Sequence, residues 1–154
     1  MMKNQMNFYL PEVNPKATRK AVERELEKYR DLLVTLPVDC SPKITASYSL
    51  IPPSNSNEFH SKTEEAAVER ADFEMYRDKF FNKIHGAVEA LKPDEKFIIV
   101  NRYMQQVTGY DPDIWMDLGI GKTMYYELKG KAMLRLAFAL KIEVYKKRNE
   151  VKSA

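Results

Sequence analysis

The sequence predicts an all-α fold, a helical bundle with a C-terminal helix-turn-helix whose second helix continues into a long helix. Three observations predict it. Apolar residues recur at spacings of three and four over most of the chain, few stretches alternate with the two-residue period of a strand, and glycine is scarce, with 5 residues in 154.

The first helix runs from Pro15 to the proline at position 37. Val22, Leu26, Tyr29, Leu33 and Leu36 make one apolar stripe, and charges of both signs fill the other positions. Pro37 is expected to stop it. The stripe covers about two heptads, short for an independent coiled coil. It is expected to pack on its own chain, with dimerisation as the alternative use.

Residues 37–60 change character. Prolines ending in Pro52-Pro53, followed by Ser and Asn, mark a linker with one short extended piece around Ile44 to Leu50. Tyr48, Leu50 and Ile51 are expected to lie against a neighbouring helix. The chain therefore divides into an arm and amphipathic helix at 1–36, the linker at 37–60 and a helical domain at 61–154.

Ser61-Lys62-Thr63-Glu64 has the form of a capping box. Phe73, Tyr76, Phe80, Ile84, Ala87 and Leu91 then keep helical spacing over a long element. Gly86 costs this helix about 1 kcal/mol relative to alanine, and is expected to mark a close helix crossing. Lys92-Pro93-Asp94 punctuates the chain. A third helix carries Phe97, Ile98, Tyr103, Met104 and Val107 as its apolar positions, and a turn with Gly109 and Pro112 follows.

From position 111 the chain reads DPDIWMDLGIGKTMYYELKG. A helix-turn-helix joins two short helices through a turn that needs a residue at ease with positive φ, and Gly119 supplies it. Ile114, Leu118 and Ile120 occupy the apolar seats around the turn, and Tyr125 and Leu128 face them from the second helix. Asp111 suits the cap of the leading helix and Pro112 its first turn. Trp115 departs from the pattern, because its seat normally holds Ala or Gly where the helices nearly touch. Either the helices cross more widely or Trp115 swings outward against a neighbouring helix.

Charge is divided along the chain. Residues 1–118 hold 16 basic and 19 acidic side chains, whereas residues 119–154 hold 9 basic and 3 acidic ones, net +6. Such asymmetry points to a polyanion partner for the C-terminal part, double-stranded DNA. The start of the second helix offers backbone amides and a positive dipole end to phosphate. Lys122, Thr123, Tyr126, Glu127, Lys129 and Lys131 are the candidate DNA-contacting residues, with Gly130 among the exposed positions. Beyond them Leu128, Ala132, Leu136, Ala139 and Leu140 form one stripe, and Leu134, Phe138, Ile142 and Tyr145 a second. A surface that wide calls for the preceding helices on one side and a second subunit on the other. Lys146, Lys147, Arg148 and Lys152 end the chain as a basic tail.

The stretches LKPDEKFIIVNRYM and DLGIGKTMYYELKGKAMLRLAFAL resemble the DNA-binding region four of sigma factors. With ITASYSLIPPSNSNEFHSKTEEAAVER leading into the long helix, the chain more closely resembles the ArpU-type (autolysin regulator) transcriptional regulators of phages and prophages of Gram-positive bacteria. The resemblance spans most of residues 20–145. It implies a phage transcription regulator of late genes, such as those for packaging and lysis, with contact to RNA polymerase. It places Lys122, Thr123 and Tyr126 on DNA. Family members often carry Ser where Gly121 stands, so the cap or phosphate contact of that serine is missing.

Two other functions compete: a DNA-recognition subunit of a phage packaging complex, like a small terminase, and a helix-turn-helix module that docks on a protein. An enzyme is not expected. His60 and His85 lie far apart in sequence, no glycine-rich phosphate loop occurs, and the carboxylates intersperse with Lys and Arg as solvated pairs do. The single cysteine, Cys40, can form neither an internal disulfide nor a thiol cluster, so no metal or cofactor is expected. No apolar run reaches the ~18 residues of a membrane helix, and the N-terminus lacks a signal-peptide core, so the expected place is the cytoplasm of a bacterial host.

Overall fold

A computed structural model of the chain describes residues 12–36, 42–44, 48–52 and 64–147. Among these residues the fold is all-α, with five helices and one two-stranded ribbon. None of these helices is long and apolar enough to cross a membrane.

Helix α1, Pro15–Leu33, starts where the Asn14 side chain accepts from the Ala17 amide at 3.1 Å and proline takes the first turn. Its whole apolar stripe is buried, from Val22 to Leu33 and on to Leu36. Rather than forming a separate coiled coil, the stripe packs on its own chain, chiefly on the last helix. The helix ends at Leu33 in a turn, ahead of Pro37, which lies outside the described residues. Strands β1, Lys43–Ile44, and β2, Leu50–Ile51, pair antiparallel with Ile44 opposite Leu50. The expected extended piece is thus a small ribbon. Tyr48 stacks edge-on against Phe97 at 5.8 Å, and the Leu50 amide donates to Glu89 Oε1 at 2.8 Å. Ile51 departs from the expectation: it points to solvent, because neighbouring residues of a strand face opposite ways.

Helix α2, Glu64–Glu89, buries Phe80, Phe81, Ile84, Ala87 and Val88. The capping serine at 61 lies outside the described residues. Gly86 does not mark a close crossing, since a Cβ built there meets nothing within 4 Å. Helix α3, Pro93–Tyr103, is the shared wall of the molecule. Ile99, Val100, Tyr103 and Met104 belong to the main core with α1, α2 and the last helix, while Ile98 belongs to a second, smaller cluster. Val107, expected on its apolar face, is exposed because α3 has already ended at Tyr103. Arg30 from α1 donates to the carbonyls of Arg102 and Gln105 at 2.9 and 3.2 Å, which satisfies acceptors at the end of α3 that no helical amide can reach.

Helix α4, Asp111–Leu118, and helix α5, Lys122–Leu140, complete the chain. The inward face of α5 is Tyr125, Ala132, Met133, Leu136, Ala137 and Leu140. Of the first expected stripe Ala132, Leu136 and Leu140 are buried but Ala139 faces solvent; of the second, Phe138 faces solvent, and the helix stops before Ile142, which packs against the core from beyond it. Lys141 takes a left-handed conformation (φ 58°), and the Ile142 amide closes back on the Ala137 carbonyl at 3.0 Å. The tail is held at its root: Tyr145 bridges antiparallel to Val13, and Thr18 Oγ1 both donates to the Val144 carbonyl and accepts its amide. Lys146 pairs with Glu12 at 3.2 Å, whereas Arg148 and Lys152 lie outside the described residues.

Candidate nucleic-acid interface

The turn between α4 and α5 is built by hydrogen bonds that only a left-handed residue permits. Gly119 (φ 68°, ψ 29°) donates to the Met116 carbonyl at 3.0 Å, and Ile120 donates to the Trp115 carbonyl at 3.0 Å. This is the Schellman closure, and it normally brings the residue after the left-handed position against the one five back. Here those residues are Ile120 and Trp115.

The same contact explains the tryptophan. Trp115 is half-buried and packs with Ile120, Leu118, Leu128 and Phe97 around Ile98, Ile114 and Tyr125. Its ring lies edge-on to Tyr125 at 5.5 Å and to Tyr126 at 6.2 Å. The ring is thus half-buried against α5, within the cluster where the two helices meet. All seven residues expected to build the motif meet here: Gly119 makes the turn, and the other six join Phe97 and Ile98 of α3 in the small cluster.

Asp111 does not cap α4. Tyr110 holds the cap position, and Asp111 is the first helical residue. Its carboxylate instead ties three helices together. The Tyr125 hydroxyl donates to Oδ1, Lys129 Nζ of α5 lies at 3.2 Å, and Arg102 Nε of α3 lies at 3.2 Å. Burial pushes the Asp111 pKa up, but the Tyr125 hydroxyl and the two cations outweigh it and hold the group below its ordinary value. Burial raises the Tyr125 phenol, and the carboxylate it donates to raises it further.

Lys129 is the one expected DNA contact that the structure turns inward. Its side chain is 15% exposed, paired with Asp111 and set over the rings of Tyr103, Tyr126 and Tyr125 at 5.4, 5.7 and 5.8 Å. The reason is helical phase: Lys129 follows Tyr125 by one turn and shares its inward side. The other five are exposed. They stand in two adjacent rows, Lys122 with Tyr126 and Thr123 with Glu127 and Lys131. Met124 joins this surface, a residue sequence reasoning passed over because a methionine in a helix reads as core. Gly121 begins α5 with no side-chain cap, and the space around it is open. The clamp residues Arg102 and Asp111 were also missed as a pair, since they act across 9 positions and two helices.

The described residues thus define a small all-α protein in which a tight glycine turn presents the outer rows of one helix, braced from behind by an ionic clamp. The chain belongs to a family of phage-related proteins. It is 32% identical over 139 residues to the phage-related protein Lin1259/Lin1739 of Listeria innocua serovar 6a, covering 90% of this chain and 97% of that one. It is 30% identical over 140 residues to Protein Gp66 of Listeria phage A118, covering 89% and 96%. No family model and no solved structure matches the chain.

Proposed function

We propose that the protein is a sequence-specific DNA-binding transcription regulator of phage genes, a binding protein rather than an enzyme. The observation that carries this reading is the exposed outer side of α5, where Lys122, Thr123 and Met124 stand beside uncapped amides at the positive end of the helix dipole and Tyr126, Glu127 and Lys131 continue along the helix. In a major groove the lysines neutralise phosphates, the polar side chains meet base edges and Met124 meets thymine methyl groups. The net +6 of residues 119–154 supports it, as does the phage-related family. The likeness to ArpU-type regulators and sigma region four extends the reading to late-gene control, contact with RNA polymerase and a place in the host cytoplasm.

The test is capture of phage and host genomic fragments by the purified protein, sequencing, and titration of the recovered site at several salt concentrations. Replacing Lys122 and Lys131 with alanine is expected to weaken binding and flatten its salt dependence by about one unit for each phosphate no longer neutralised. Binding unchanged in the double variant would overturn the placement of the reading helix. Failure to recover any DNA, with capture of a host protein instead, would replace DNA binding by protein docking.

A further inference from the structure

Helix α2 is 26 residues long, yet from Glu64 to Asp72 none of its residues is buried. Its inward face consists of Arg77, Phe80, Phe81, Ile84, His85, Ala87 and Val88. Val68, Asp72, Met75, Lys79 and Lys83 follow one another by three or four residues on the opposite side, all of them exposed. Two large apolar groups stand in that stripe, Val68 at 56% and Met75 at 71% exposure, with Tyr76 beside them at 48%. A half-helix with no buried residue is marginal by itself, because helix stability comes mostly from a buried face.

Charge along this stripe changes sign at its middle. Glu65, Glu69 and Asp72 precede Met75, while Lys79 and Lys83 follow it, with Lys28 of α1 set over the Tyr76 and Phe80 rings at 5.1 and 4.8 Å. A surface of this kind is complementary to itself when reversed. A parallel partner would set acid on acid, and DNA would be repelled by the first half.

We propose that the outer stripe of α2 is the interface of an antiparallel homodimer, with the twofold axis between Met75 and Tyr76. The axis sets Met75 of one copy on Tyr76 of the other and Asp72 opposite Lys79. Lys83 then lies along Val68, within reach of Glu65 and Glu69. Of the two other dimer surfaces that the sequence suggests, the α1 stripe is already used inside the chain, and the outer side of α5 sets Phe138 among Lys131 and Lys141, with no reversal of charge to complement itself. A single helix pair is at the small end of stable interfaces, so the dissociation constant is expected in the micromolar range, on the order of 1–100 µM.

Sedimentation of the full chain without DNA tests this apart from any DNA-binding role. The wild type is expected to dimerise over that range, and Met75→Glu to stay monomeric with an unchanged circular dichroism spectrum. Asp72→Lys and Lys79→Asp, each turning two symmetry-related pairs repulsive, are expected to raise the dissociation constant about tenfold or more, and the Asp72→Lys/Lys79→Asp double variant to restore it. A wild type monomeric at about 100 µM overturns the proposal. So does a dimer indifferent to these changes, or a double variant no better than the singles.

Discussion

The Tyr125 hydroxyl donates to the Asp111 carboxylate, so the second helix of the motif is fastened to the first residue of the first. Lys129 and Arg102 complete the fastening at 3.2 Å each. The carboxylate is largely enclosed, and it fixes how α5 leaves the body of the molecule.

Removing that carboxylate leaves two cations and a phenol without their acceptor. Asp111→Ala is expected to cost about 2–3 kcal/mol of unfolding free energy, and Asp111→Asn less, because the amide oxygen still accepts from Tyr125. The folded pKa lies below the unfolded value, so the carboxylate stabilises the fold at pH values above the unfolded pKa, and this contribution is lost as pH falls through the folded one. Urea unfolding of wild type and Asp111→Asn should therefore converge below about pH 3.9. A constant gap down to the lowest pH would remove the charge from the explanation.

Lys129 separates structural lysines from groove-facing ones. Lys129→Met keeps the aliphatic stem among the tyrosines but loses the ion pair, and is expected to lower stability by about 1–2 kcal/mol while leaving the salt slope of DNA binding as it was. Lys122→Ala should do the reverse. A slope that flattens in Lys129→Met at full stability would return that residue to the interface.

Two glycines fail for different reasons when given a methyl group. Gly119→Ala meets nothing within 4 Å, but it must hold φ near 68°, at a cost of about 1 kcal/mol. At Gly109 a Cβ would lie 2.5 Å from the Asn101 carbonyl oxygen, so the loop must move. Gly109→Ala is expected to cost about 1–3 kcal/mol. Gly119→Asn, which tolerates left-handed φ, should recover part of the first loss, and no equivalent rescue exists at 109. Equal recovery by asparagine at both positions, read by thermal unfolding, would contradict this division.

His85 predicts a second pH dependence. Its Nε2 lies 2.6 Å from the Tyr29 hydroxyl in the main core, and burial lowers its pKa to about 4, with Glu89 opposing. The unfolded chain takes up this proton near pH 6.5 and the folded chain near 4, so stability falls as pH drops between those values and levels off below. The loss amounts to about 3 kcal/mol. His85→Gln, compared with wild type by urea unfolding from pH 7 to 4, should lack this component.

The turn was legible because it depends on neighbours in sequence. Gly119, Ile120 and the residues around them act within one or two helical turns, where side-chain type and spacing decide geometry. The α1 stripe was legible for the same reason, since all of its apolar positions share one face. Trp115 could be flagged but not placed, because the ring that receives it belongs to another helix.

By itself the sequence determined that the chain is helical, where α1 and the turn at Gly119 lie, and that the C-terminal part is basic. Local spacing, turn conformation and net charge need no partner. Only the tertiary structure decided that Lys129 faces inward to Asp111, that Phe138 lies outside the core, and that α2 leaves Val68 and Met75 exposed. Each of these depends on the phase at which a helix meets its neighbours, and contacts between residues distant in sequence set that phase.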